Sequence, residues 1–394
     1  MKAPSRIPQL TLWQWTFWLL TAGGLYATYV RIVYGLGGST YLTDQFPWGL
    51  WIGFDVLCGV GLAAGGFPLA AIVHIFNLES YKPILRATIL TAFLGYLLVV
   101  VALLFDLGRP YRLWHPLVMW NPRSVMFEVA WCVMLYTTVL AIEFAPTVFE
   151  RFGWKAPLRL LRAISIPVVI AGVILSTLHQ SSLGSVYLIV PSKLYPLWYS
   201  PLLPLLFYVS AICVGFAMTI FESWHSSRAF GRQLEVPLLN SMARVLAVLL
   251  MFYLTLRFVD LKSRNVLGLL LENRTETYLF ALEIALMFVP MLLLFRKHIR
   301  ENPGALYGSA VMVILGFVAH RLNVSVTGME TGSGTHYIPK WTEVVVTLWF
   351  IALFFAVFRF ITQQFPVFEK ARPEPAGAAL EPMPRILGTP ARGD

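Results

Sequence analysis

Ten apolar stretches, each long enough to cross a lipid bilayer, follow one another along this chain. They lie near 11–34, 46–76, 83–106, 123–148, 157–181, 198–225, 237–262, 276–295, 304–323 and 340–362. About 20 apolar residues in helical form span the hydrocarbon core. Lipid offers backbone polar groups no partner, so such stretches must satisfy their own hydrogen bonds as helices. The sequence therefore predicts an all-α integral membrane protein of about ten transmembrane helices. Several stretches exceed the minimum, which predicts tilt or extension beyond the bilayer. The short connections make successive helices antiparallel neighbours.

Composition agrees. Hydrophobic residues make up 58% of the chain and charged residues 13%, where a soluble domain carries roughly 25% charged residues. The formal net charge of +10 would suggest nucleic acid in a soluble protein. Here the charges cluster between the apolar stretches, which is the pattern of a topology signal; nucleic acid is not an expected partner, and the lipid bilayer is. Cys58, Cys132 and Cys213 each sit inside an apolar stretch with no CxxC spacing. They read as packing residues, not as zinc or iron–sulfur ligands. The first stretch is long, rich in Trp and Tyr, and lacks a small-residue cleavage pattern, so it reads as a retained helix.

Lys and Arg divide unevenly between the two sets of connections. Lys82, Arg86, Arg151, Lys155, Arg159, Arg162, Arg228, Arg232, Arg296, Lys297 and Arg300 fall on the side of both termini. Arg109, Arg112, Arg123, Lys193, Lys262, Arg264, Arg274 and Lys340 fall on the other. The positive-inside rule then places both termini in the cytoplasm. Residues 1–365 read as one transmembrane domain. Residues 366–394, rich in Pro, Ala, Gly, Glu and Arg, read as a disordered cytoplasmic tail.

Ionisable residues inside the spans carry the functional signal, because a charge at the bilayer centre costs roughly 2.5–3.5 kcal/mol on insertion scales. Asp55, Asp106, Glu128, His179, Arg257, Asp260, Glu283, His320, Arg321 and Glu343 fall in the half away from the termini; His74, Glu143, Glu222 and His225 fall near the basic side. For Arg257 and Asp260, spaced i and i+3, an ion pair along one helix is the plain alternative. Asp55 and Glu128 read as deeper, where a carboxyl suits proton uptake and release. In Asp106-Leu107-Gly108-Arg109-Pro110-Tyr111-Arg112-Leu113-Trp114, a helix break brings a carboxylate, two arginines and two aromatics to one interface. Asp106 and Arg109 are placed to pair across the turn, and a simple interfacial anchor is the alternative. His179-Gln180-Ser181-Ser182-Leu183-Gly184-Ser185 adds an imidazole with amide and hydroxyl groups on the same side. Such groups suit a quinone carbonyl, which needs a donor in one redox state and an acceptor in the other. The glycines from Gly59 to Gly66 suit close helix packing or a slot for a flat ring.

Together these segments resemble the NrfD/PsrC family of quinone-interacting membrane subunits, closest to its nickel–iron-hydrogenase (HybB-type) and DsrP/HmcC-type branches. The resemblance is carried by Phe46-Pro47-Trp48-Gly49-Leu50-Trp51-Ile52-Gly53-Phe54-Asp55, by Asp106 to Pro110, by Ser124 to Glu128, by Glu143 to Pro146 with Glu150 to Trp154, and by His179 to Ser185. It implies two four-helix bundles, spans two to five and six to nine, with spans one and ten peripheral. It implies a menaquinone or ubiquinone site near the outer face, and no haem or iron–sulfur cluster held by this chain. Trp51, Asp55, Asp106, Arg109, Glu128 and His179 match family positions near that quinone region. Glu128, Glu143 and Glu222 are the candidates for proton transfer. The implied partners are a ferredoxin-like [4Fe–4S] subunit and a catalytic subunit of a hydrogenase or sulfur-metabolism module, docked on segments 107–122, 182–197 and 324–340. The implied role is one half-reaction of a respiratory oxidoreductase complex in the cytoplasmic membrane. Two readings compete with it. A haem b cytochrome would draw its axial ligands from His74 with His225, or from His179 with His320. A transporter or ion channel would use the intramembrane carboxylates.

Overall fold

Helices that cross lipid end near the polar interface, where caps, water and neighbouring helices take up their terminal backbone groups. The computed structural model describes residues 11–368 and contains ten long helices, one for each expected span. They are α1 Leu12–Ser39, α2 Trp51–His74, α3 Lys82–Asp106, α4 Val125–Phe152, α5 Ser165–Val186, α6 Leu203–Ala229, α7 Val236–Ser263, α8 Thr275–Phe295, α9 Pro303–Ser333 and α10 Trp341–Gln364. Among the described residues there is no β-strand. Nine of the ten helices are long and apolar enough to cross a membrane; α1, richer in Trp, Tyr and Gly, is the tenth. A short helix, Lys155–Ala163, precedes α5 and carries Lys155, Arg159 and Arg162 between apolar residues, the pattern of a helix lying in the membrane interface.

Local sequence explains the helix ends. Thr11 and Gln14 form a capping box at the start of α1. The Ser124 hydroxyl accepts from the Phe127 amide at α4, and Asn302 accepts from the Ala305 amide at α9. Gly153 ends α4 in the left-handed conformation. At the C-terminus of α3 the cap comes from another helix. Arg31 of α1 is buried and donates to the carbonyls of Phe105 and Leu107, each at 2.6 Å.

The ten helices form two four-helix bundles and one outlying pair. Helices α2 to α5 pack in one bundle and α6 to α9 in the other, while α1 pairs with α10 on the outside. The bundles join through α5 against α6, and through α2 against α6 and α9. The decisive crossing is α2 on α6. A β-carbon on Gly65 would lie 2.9 Å from the Gly215 carbonyl oxygen, and one on Gly215 would lie 3.1 Å from the Gly65 Cα. Only a pair of glycines allows the two backbones to meet there. Two π-helical turns, Trp51–Val56 in α2 and Asn323–Thr327 in α9, face each other near one end of this seam. Such turns often mark functional sites.

The helices define two ends. The basic end holds the turns near 75–81, 153–164, 230–235, 296–302 and 365–368; the loop-rich end holds 40–50, 107–124, 187–202, 264–274 and 334–340. Val367 is buried, and Phe368 packs on Phe230 and under Arg232, so these two residues of the expected tail are anchored to the bundle. The rest of that tail lies outside the described residues.

The glycine crossing yields a direct expectation. Gly65→Ala forces the α2 and α6 backbones apart and should destabilise the protein by about 1–3 kcal/mol, the usual range for overpacking. Thermal unfolding in detergent followed by size-exclusion chromatography would measure it; a midpoint equal to that of the unsubstituted protein would refute the claim that this contact sets the packing.

Candidate functional site

The α1–α10 pair touches the core strongly near the loop-rich end and at the basic extremity, and stands away between them. At the first clasp, the Trp51 indole donates to the Glu343 carbonyl at 3.3 Å and the Thr347 hydroxyl donates to Asp55 Oδ2 at 2.9 Å. Phe105 packs edge-on against both Trp51 and Phe350. At the second clasp, Arg151 donates to the Gln364 carbonyl at 2.9 Å and Arg86 to the Pro366 carbonyl at 3.1 Å.

Between the clasps runs a groove. Its first cavity, of about 250 Å³, is walled by apolar side chains of α2, α3, α6, α9 and α10, with Asp55 at its edge. A second cavity, of about 570 Å³, holds Glu222, His225 and Arg359. Thr91, Met218, Phe221, Phe354 and Phe355 line both, so the two cavities adjoin along α6 and α10. Thr91 Oγ1 donates to Glu222 Oε2 at 3.3 Å. Glu222 also borders a small crevice with Ser226, Ser227 and Glu235 at the basic end. The groove thus has one carboxylate in its apolar part and another where it meets the polar end.

A different polar set occupies the interior of the first bundle. His179 is fully buried in α5 beside Tyr96 of α3, with ring centroids 5.6 Å apart, and Tyr96 sits edge-on to Tyr136 of α4 at 4.7 Å. Both ring nitrogens of His179, the hydroxyls of Tyr96, Tyr136 and Ser176, and Gln180 Oε1 have no protein partner. A buried polar atom left in that state costs about 1–3 kcal/mol. Gln180 Nε2 donates to the Val60 carbonyl at 3.3 Å.

The second bundle encloses charge. Arg257 of α7 and Glu283 of α8 are both buried, 3.8 Å apart, and Arg257 also donates to the Leu197 carbonyl at 3.2 Å. Glu283 accepts from the Trp198 indole at 2.8 Å and from Asn323 at 3.0 Å. Arg321 lies 3.5 Å over the Phe207 ring and meets His320 Nδ1 at 2.8 Å. The expected pair along one helix, Arg257 with Asp260, does not form. Arg257 projects into the core, whereas Asp260 binds Arg264 one turn on at 2.7 Å and accepts from Ser200 at 2.8 Å.

The polysulphide reductase NrfD family model matches residues 38–331, which takes in the whole first bundle, the seam and α9 up to its last turn. The protein belongs to that family. It is 35% identical over 343 residues to a probable Ni/Fe-hydrogenase 2 b-type cytochrome subunit of Escherichia coli, covering 86% of this sequence and 87% of that protein. It is 28% identical over 395 residues to the integral membrane subunit of a menaquinone reductase of Nitratidesulfovibrio vulgaris, covering 92% and 93%. The integral membrane subunit of an Hdr-like menaquinol oxidoreductase of Archaeoglobus fulgidus is 26% identical over 299 residues, 75% of this sequence and 66% of that one.

Against this family background the residues singled out in the sequence separate into three places. Trp51 and Asp55 sit together in the π-helical turn of α2, at the upper clasp of the groove. Glu222 opens onto the same groove further down. His179 is elsewhere: α3 stands between it and Asp55, presenting Gly95, Leu98 and Ala102 to the groove and Tyr96 to the bundle interior. Glu143 lies at the foot of the first bundle. Asp106 ends α3 with Oδ1 buried and without a protein partner, beside Arg31 and not in an ion pair with Arg109. The backbone turns extended at Leu107, and Arg109 emerges exposed. Glu128, read from sequence as deep, is exposed in the first turn of α4, because Ser124 starts the helix there. A carboxylate at that position complements the helix dipole.

Sequence reasoning missed Thr347 and Tyr337. Thr347 is one turn beyond Glu343 on the same face of α10, a spacing that could have flagged it. Tyr337, between α9 and α10, donates to Glu343 Oε1 and accepts from the Leu50 amide at 2.8 Å. Burial, with the bond to Glu343, pushes its phenol above the usual range, so it stays a donor. These bonds hold the top of α10 against α2.

The buried pair of the second bundle gives a second expectation. Removing Arg257 leaves Glu283 without its countercharge, so Arg257→Leu should cost about 3–5 kcal/mol, as for other broken buried pairs. Arg257→Leu combined with Glu283→Leu should recover most of that loss; equal instability of the single and double variants in thermal melts would show that the pair is not the cause.

Proposed function

We propose that this protein exchanges electrons between a partner iron–sulfur subunit and menaquinone or ubiquinone, and that the quinone binds in the groove between α10 and the bundles. The observation that carries this reading is the composition of the groove: an apolar cleft with one carboxylate, Asp55, at the upper clasp and a second, Glu222, only where it meets the polar end. A quinone has the same division, with a polar ring at one end of a long apolar tail. Binding sites of this kind are largely apolar with a few placed polar groups. The menaquinone reductase relative is named for that substrate class.

The residues divide the work by position. Asp55, held by Thr347, is placed to accept or donate a hydrogen bond at a ring oxygen. Trp51, fixed by its indole bond to the Glu343 carbonyl, walls the upper end and sets the orientation of α10. Asp106 and Arg31 order the end of α3 beside that wall, and Arg109 faces outward, available to a docked partner. Quinone reduction consumes two protons for two electrons. Glu222, bridging the basic-end crevice and the groove, is the group positioned to bring protons toward Asp55. Glu143 opens on the basic end by a separate route, while Glu128 is placed at the loop-rich surface. The exposed aromatics Tyr111, Trp114 and Trp120 at the loop-rich end suit docking of the iron–sulfur subunit. Segments 182–197 and 324–333 pack largely against each other, with the Tyr195 amide bonded to the Gly328 carbonyl, so 107–122 carries most of that surface.

In this reading the basic end faces the cytoplasm, the protein itself holds no haem or iron–sulfur cluster, and the catalytic partner is a hydrogenase or sulfur-metabolism subunit. The test is the assembled complex in membranes. Asp55→Leu should lower quinone-linked electron flow about 100-fold, the lower range for loss of a proton-transfer group, with subunit assembly unchanged. Full turnover in that variant, or a Soret band that tracks this subunit through purification, would overturn the proposal.

A further inference from the structure

The basic end carries a charged surface that neither the groove nor the bundle interiors use. Gly153 ends α4 in the left-handed conformation, and the chain turns into the short helix Lys155–Ala163 before α5 begins at Ser165. Lys155, Arg159 and Arg162 recur at i, i+4 and i+7, so they share one stripe of that helix. Leu158 and Leu161 on its other side are half-buried. The acids nearby are already engaged. Glu150 binds Arg86 at 2.8 Å and Arg162 at 3.3 Å, and Glu79 binds Lys82 at 2.7 Å. Among the described residues no carboxylate lies within 4.0 Å of Arg151, Lys155 or Arg159. All three are exposed. Arg151 gives its Nε to the Gln364 carbonyl, so the patch adjoins the second clasp.

An apolar feature begins where this helix ends. Ile166, Ile170, Ile174 and Leu178 of α5 follow one another at four-residue spacing, and each is 44–54% exposed. Residues so spaced form a ridge along one side of a helix. At 1.5 Å per residue the ridge runs about 18 Å, and half of a bilayer's hydrocarbon core is about 15 Å. Ile164, also exposed, joins the ridge to the short helix. The ridge therefore spans one leaflet, with the cations at its polar edge. Trp154 packs on Phe149 and Phe152, with ring centroids 5.5 and 5.6 Å apart, and stays half-exposed at the level where indoles meet head groups.

We infer that this surface binds an anionic phospholipid, its phosphate on Lys155 and Arg159 beside Arg151, and an acyl chain along the ridge from Ile166 to Leu178. Ammonium and guanidinium groups donate and cannot accept, so their ligand must bring both acceptors and negative charge. A phosphodiester brings both. A zwitterionic lipid also brings a cation, which meets like charge here. Free phosphate and an acidic peptide satisfy the cations but place nothing on the ridge. The division of the surface into a cationic edge and a leaflet-long apolar strip matches the lipid alone. This assignment stands apart from the quinone reading.

Two measurements on the full-length protein test the site. The first is native mass spectrometry during titration with phosphatidylglycerol and, separately, phosphatidylcholine of the same acyl chains. Phosphatidylglycerol should bind the more tightly. Each cation near an anionic lipid is worth about fivefold, so Lys155→Gln with Arg159→Gln should weaken its binding about thirtyfold. Arg296→Gln with Lys297→Gln, which removes the same charge at the same end, should leave it nearly unchanged. Gln is a good helix former, and an unshifted thermal midpoint would verify that the fold is kept. Equal binding of the two lipids, or equal loss in the two double variants, refutes the site. Millimolar inorganic phosphate should not displace the lipid; displacement would overturn the lipid assignment in favour of a free anion. The second measurement uses phosphatidylglycerol with a photoreactive acyl chain in nanodiscs. Crosslinks should concentrate on the peptide containing Ile166 to Leu178 and fall in the Lys155→Gln, Arg159→Gln variant. Crosslinks spread evenly over the lipid-facing helices would reduce the patch to diffuse attraction and sink the proposal.

Discussion

The contact between Gly65 and Gly215 governs the architecture. Helix α2 belongs to one bundle and α6 to the other, and their backbones meet where neither has a side chain. Water does not drive helices together inside a bilayer, so packing must come from close approach of the backbones themselves. With α2 and α6 locked, the two bundles lie side by side and the π-helical turns of α2 and α9 are brought face to face. The turn in α2 directs Trp51 and Asp55 toward α10. The groove is therefore a consequence of the seam: α10 can reach the core at the π-helical turn but not along the body of α6.

The two bundles solve the problem of buried polarity differently. The second pairs Arg257 with Glu283 and surrounds them with Trp198, Asn323 and the Leu197 carbonyl. Such a site stays closed because opening it would expose charge to hydrocarbon. The first uses neutral hydroxyls, an amide and an imidazole, and leaves them without protein partners. In both interiors some polar atoms stand without a protein partner, the Tyr96 and Tyr136 hydroxyls in the first bundle and the Tyr253 hydroxyl and Arg257 Nε in the second.

Much of the fold was legible because span length and backbone satisfaction leave few alternatives. Nine of the ten expected stretches fall on a single helix, the stretch 157–181 straddles the short helix Lys155–Ala163 and α5, and Ser124, Gly153 and Asn302 mark helix ends by ordinary capping chemistry. The site was legible only in part. Trp51 and Asp55 stood out as a tryptophan and an acid in an apolar run, and the structure places them together. The grouping of His179 with Asp55 failed because hydropathy reports depth along the membrane normal, not the side of a helix a residue faces. Glu128 was misplaced by less than two turns, enough to move it from the interior to the surface. Pairings such as Arg31 with the end of α3 join residues more than seventy positions apart, and no local pattern encodes them.

The attachment of α10 at its two ends alone has one more implication. In the quinone reading, a cleft flanked by a membrane-crossing helix along its length exchanges its contents chiefly with the membrane. Occupancy then follows the mole fraction of an amphiphile among the surrounding lipids, and aqueous concentration has little bearing on it. Extraction from the membrane therefore changes the composition of the solvent that fills the cleft, even where every helix keeps its place.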